Sequence, residues 1–64
     1  MKTDDIYRSA KILIDQHGYE AEDFASERMS YFMEKDDAKG ASVWLGIMSA
    51  INDLTNLGKQ KYLN

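Results

Sequence analysis

A stretch without a single charge, Gly40 to Asn52 (GASVWLGIMSAIN), interrupts a chain in which 30% of residues are charged, and it carries the only tryptophan. Val43, Trp44, Ile47, Met48 and Ile51 recur within it at spacings of three and four, the period of a helix rather than a strand. A helix with no charged face is what a small fold builds around, because little of it demands water. Proline is absent and β-branched residues are sparse, so the spacing predicts an all-α fold.

The 64 residues make one domain, 1–64, near the lower limit for a chain that folds without disulfides or metals. A core of this size leaves a margin of only about 3 to 5 kcal/mol. Self-association removes further apolar surface from water and raises that margin, so a homodimer is expected. The absence of cysteine rules out disulfide frameworks, thiolate zinc sites and thiol nucleophiles, and fits a reducing cytoplasm. The first residues, Met1 to Asp5, lead into charged sequence with no apolar signal region. The charge-free stretch is also shorter than the roughly 20 residues of a membrane span. A cytoplasmic, unprocessed, soluble chain with no membrane partner is expected.

The formal net charge is −3. Acids gather at Glu20, Glu22, Asp23 and Glu27, whereas the bases are scattered, apart from Lys59 and Lys61. Phosphate contacts need a coherent basic face, so nucleic acid is excluded as a partner.

Three helices follow from the capping signals. Thr3, Asp4 and Asp5 open a helix over about 4–17, ended by Gly18 in the left-handed conformation. A second spans about 20–35, with Glu20, Glu22 and Asp23 at its positive end. Asp36 and Asp37 offer N-caps for a third over about 38–57, with Gly58 as its stop. Short connections between them predict a compact three-helix bundle with a long central third helix.

At about 100° per residue, Ile6, Ala10, Leu13, Ile14 and His17 share one face of the first helix, with Ile12 on the opposite side. Ala21, Phe24, Ala25, Met29, Phe32 and Met33 form a wide stripe on the second, with Arg28 inside it. The third turns Val43, Trp44, Ile47, Met48, Ile51, Leu54 and Leu57 inward. Ser42, Leu45, Gly46, Ser49, Asn52 and Asn56 are left as a second, nearly uncharged surface. A partner would be sought there, with Ser42, Leu45, Gly46, Ser49 and Ile12 as the candidate interface.

Two polar residues are candidate ligand anchors. His17 is the only histidine, so no multi-histidine metal site can be built in one chain, and a ring packed at the core edge, bonded to a helix-end carbonyl, is preferred to a catalytic one. Arg28 in an apolar stripe must snorkel to water or find a carboxylate. Its functional alternative is an anchor for an anionic ligand or a partner's carboxylate. The acidic cluster matches no calcium loop, and Gly40 and Gly46 match no phosphate loop. Those glycines suit close helix packing instead. The aromatic and methionine residues at helical spacing are read as core rather than as a ligand groove.

The segments IYRSAKILIDQHG (Ile6 to Gly18), AEDFASER (Ala21 to Arg28) and DDAKGASVWLGIMSAINDL (Asp36 to Leu54) together resemble a family of short uncharacterised bacterial proteins, common in α-proteobacteria, a domain of unknown function. Its pattern is an alanine-rich first helix ending in His-Gly, then an acidic turn leading to a tryptophan and an Ile/Ala/Leu helix. This chain has Asp36-Asp37 where the family pattern has Gly-Asp. The resemblance implies a shared scaffold at His17, Gly18, Gly40 and Trp44 and brings no activity with it.

No nucleophile, base and orienting group can be assembled. The expected function is therefore a non-enzymatic protein–protein interaction module or homodimer with no cofactor. The alternative is a small-ligand or anion binder using Arg28, His17 and the neighbouring aromatics.

Overall fold

The computed structural model describes the backbone of residues 3–63 and the side-chain environments of residues 3–56. Among these the protein is all-α, as expected: α1 (Thr3–His17), a single 3-10 turn (Gly18–Glu20), α2 (Ala21–Glu34) and α3 (Ala38–Leu63). No non-helical residue separates α1 from α2. They are two arms of one bent helix, so the chain counts as two helical pieces as readily as three. Gly18 makes the bend, at φ +61° with open space where a side chain would stand. A residue with a β-carbon resists that conformation.

The corner between α2 and α3 is built from two aspartates with different tasks. Asp36 takes a positive φ of 56°. Its N–H donates to the Met33 carbonyl at 3.1 Å, and the Asp37 N–H donates to the Phe32 carbonyl at 2.9 Å. These two bonds are the Schellman pair that closes a helix on a left-handed residue. Asp37 then starts the next helix: its Oδ1 accepts from the Gly40 N–H at 3.0 Å, and its carbonyl accepts from the Ala41 N–H at 3.0 Å. Of the two expected N-caps, Asp37 serves and Asp36 does not.

α3 does not stop at Gly58 but continues past Leu57 to Leu63. An interior glycine costs a helix about 1 kcal/mol relative to alanine. The residues after it, Lys59, Gln60 and Lys61, are good helix formers, and the two lysines carry the charge that suits a C-terminus. At 26 residues α3 is about 39 Å long, and it outruns both neighbours in a molecule of 43 × 22 × 17 Å. It contacts both α1 and α2, and α2 more extensively. Among the described residues no helix is long and apolar enough to cross a membrane.

Among the described residues the buried core consists of Ala10, Ala21, Ala25, Ile47, Ala50 and Ile51. Ile6, Leu13, Ile14, Val43, Trp44, Met48 and Leu54 pack around it while keeping part of their surface in water. Small residues at the contacts let the helix axes approach closely. Gly46 lies against Ile6, where a β-carbon would stand 3.3 Å from Cδ1. Met33 departs from the expected inner stripe of α2 and is 60% exposed, because it sits in the last turn, beside the corner. Leu57, expected on the inner face of α3, lies outside the described side chains.

Candidate functional site

α2 carries a row of stacked rings and cations. The His17 ring stacks on Phe24 with centroids 4.6 Å apart and planes 17° from parallel. Phe24 meets Trp44 of α3 edge-on at 6.0 Å. Beyond Trp44, the Arg28 guanidinium lies over three rings, 5.2 Å from Tyr31, 5.7 Å from Phe32 and 5.8 Å from Trp44. Lys35 approaches Tyr31 at 5.6 Å. Tyr31 and Phe32 are themselves edge-on at 5.3 Å.

Arg28 therefore snorkels. It is exposed, and its charge rests on ring faces instead of a buried carboxylate, an arrangement that ring quadrupoles favour. His17 is half-buried at the end of α1. Its ring is engaged by the Phe24 stack, and the expected bond to a helix-end carbonyl is absent among the described residues. The two anchors stand at opposite ends of the Phe24–Trp44 pair. His17 opens on a shallow cleft of about 280 Å³ lined by Glu20, Asp23, Phe24 and Glu27, whose acids repel an anion. No cluster able to hold a metal ion occurs among the described residues.

The candidate interface residues fall into three places. Ser42, Leu45 and Ser49 form an exposed outer face of α3, with Leu45 51% exposed. Asn52 and Asn56 extend it toward the C-terminus, joined by a long side-chain contact of 3.5 Å. Gly46 is not on this face, because Ile6 of α1 covers it. Ile12 is 50% exposed and belongs to a different feature, an apolar groove of about 340 Å³ between α1 and α3.

Ser9, Ile12 and Leu13 supply one wall of that groove, and Val43, Trp44 and Ile47 the other. None carries a charge. Leu45 lies about 160° around α3 from both Val43 and Ile47 at helical spacing, so the groove and the outer face look in different directions. Leu13, Val43 and Ile47 read as core in the sequence, and their share in an open groove is hidden there. The available signal was the run Ile12-Leu13-Ile14, three consecutive apolar residues that span about 200° of a helix, more than one face buries.

Across α1 and α3, the Tyr7 hydroxyl donates to Asp53 Oδ2 at 2.9 Å. That hydrogen bond, the adjacent negative charge and slight desolvation all hold the phenol above its ordinary pKa of 10.0. The pairing tethers two exposed positions far apart in sequence. Arg8 and Asp5 add a weak surface ion pair at 3.8 Å within α1.

Comparison of the chain with protein-family models, with curated proteins and with solved structures gives no match.

Proposed function

We propose that this chain is a non-enzymatic protein–protein interaction module, a three-helix bundle around the long α3 that acts in the cytoplasm as a homodimer or adaptor. The supporting observation is its surface. The chain exposes 5062 Å², where a folded monomer of 7.3 kDa exposes about 4,200 Å² by area–mass scaling. Among the described residues, apolar side chains left half in water surround an interior of alanine and isoleucine. Surface of that kind gains stability when another protein covers it.

Light scattering across the micromolar range tests the reading. The expected mass is a multiple of the single 7.3 kDa chain, or that of a complex when a binding partner is added. A chain that stays monomeric and binds no protein overturns it.

A second reading rests on Arg28. A guanidinium stacked on rings keeps its edge donors free for a carboxylate or phosphate. In a thermal-shift screen of anions, a stabilising ligand whose effect disappears in Arg28→Ala supports it. The resemblance to short α-proteobacterial proteins adds no activity to either reading.

A further inference from the structure

We propose that Gly18 is a hinge on which α1 leaves its own α3 and docks on the α3 of a second copy, with Thr3–Glu34 straightened into one continuous helix in each chain. This rests on the homodimer form of the interaction-module reading and supplies its means of pairing.

The bend is set at one residue. Between Thr3 and Glu34, Gly18 is the one described residue with a positive φ, 61°. His17 before it (φ −116°, ψ −9°) and Glu20 (φ −85°, ψ −3°) and Ala21 (φ −59°, ψ −41°) after it already stand in the right-handed region. Glycine occupies left- and right-handed helical backbone about equally well. Rotation at Gly18, with small adjustment beside it, therefore turns the two arms into a single helix of about 48 Å.

Packing does not lock the bend. A β-carbon at Gly18 would meet nothing within 4 Å, and Tyr19 beside it is 97% exposed. α1 packs mainly on α3 and little on α2, so the bend persists because α1 is docked. The His17–Phe24 stack at 4.6 Å clasps the two arms. On a straight helix these residues, seven apart, would stand about 10 Å apart along the axis, so the clasp belongs to the bent form alone.

An α1 arm that simply swung away would expose the buried Ala10 and uncover Gly46 beneath Ile6. Exchange removes that cost, because the Ile6–Gly46 contact and the Tyr7–Asp53 hydrogen bond of 2.9 Å re-form between chains. The seat on α3 is already fitted to α1, which names the occupant as the α1 of another copy. Closed monomer and exchanged dimer then differ at the hinge and in the cost of association, the condition for domain swapping.

The chain has no cysteine, so Ile6→Cys/Gly46→Cys reports which copy supplies the arm. Oxidation links the pair within one chain when α1 is closed and between chains when it is exchanged, with Ile6→Cys alone as the control for chance linkage. After refolding from micromolar to millimolar concentration, the covalent dimer fraction should rise with concentration. Gly18→Ala penalises the left-handed form and favours the helical one in both chains, so it should raise the association constant by about a hundredfold or more. His17→Ala removes the clasp and should raise it by about tenfold, which repeats the test if Gly18→Ala lacks helical circular dichroism. Gly18→Asn, whose side chain tolerates left-handed backbone, should stay nearer the wild type.

A chain linked only within itself at every concentration overturns the exchange. So does a helical Gly18→Ala and His17→Ala pair that associates no more tightly than the wild type. A dimer by sedimentation whose cysteines link only within chains overturns the hinge and leaves the interaction module standing on another surface. If the wild-type chain is monomeric throughout and binds no other protein, the module reading falls as well.

Discussion

Phe32 lays its ring on the bare backbone of Gly40, so closely that a β-carbon there would stand 2.5 Å from Cδ1 and 2.8 Å from Cγ. Neither atom is the free end of a flexible chain, so the ring would have to move as a unit and take its contact with Arg28 along. Gly40→Ala is expected to lower stability by about 1 to 3 kcal/mol despite alanine's better helix propensity. Gly46→Ala meets only the mobile tip of Ile6 at 3.3 Å and should gain about 0.5 kcal/mol from propensity. Paired urea melts of the two variants check the contrast in sign.

Asp36 occupies a left-handed position that costs a residue with a β-carbon about 1 kcal/mol. Asp36→Gly should therefore stabilise the protein by about 0.5 to 1 kcal/mol. Asp37→Ala removes the acceptor for the Gly40 N–H and should cost about 1 kcal/mol. Thermal unfolding followed by circular dichroism should show the two changes in opposite directions.

The Tyr7 phenol bonds a carboxylate, which favours its protonated form and raises its folded pKa above the ordinary 10.0. The folded state then holds that proton more tightly than the unfolded chain. The contribution of the pair is complete below pH 10.0 and is lost as pH rises through the higher folded value. Alkaline titration of tyrosinate absorbance should find one tyrosine ionising late, absent in Tyr7→Phe. Asp53→Asn should bring it back toward the ordinary value.

Removing Arg28 should be felt by the rings beneath it. Arg28→Ala strips the cation from Tyr31, Phe32 and Trp44 and should cost about 1 kcal/mol. Trp44 emission should change as well. Arg28→Glu should be worse than alanine, because a carboxylate meets the negative ring faces, and a melt equal to that of Arg28→Ala would show that the ring contacts carry no energy.

Much of this architecture was legible because helix boundaries depend on neighbours in sequence. Gly18 and Asp37 act within a turn of themselves, and both do what their residue types favour. Asp36 and Asp37 are indistinguishable as N-caps in the sequence, because two adjacent aspartates offer the same oxygen. Only the Schellman bonds to Met33 and Phe32 show which residue must turn left-handed. Gly58 illustrates the opposite error, since a glycine signals a stop only where the chain gains by stopping.

The surfaces were less legible. Periodicity reports how wide a helix face is, but not which neighbour covers it. Gly46 lies at the margin of the outer face of α3 in projection, and the packing of α1 on α3 brings Ile6 over it. Periodicity does not mark Ala50 as a core residue for a related reason: alanine is equally at home inside and outside, so only packing reveals that it is 1% exposed. Ile12 and Leu45 read alike in the sequence as candidate interface residues, and the structure puts Ile12 beside a groove and Leu45 on an open face.

An interior in which four of the six buried residues among those described are alanine inverts the usual pattern of mutational tolerance. In most cores the damaging change is the one that removes atoms and leaves a void. At Ala10, Ala21, Ala25 and Ala50 there is little to remove, and each added methyl group pushes two helices apart. Substitutions ordinarily counted as conservative, alanine to valine or leucine, become the severe ones at these positions. Descendants of this sequence have room to vary in what their surfaces carry, and almost none to grow at the centre.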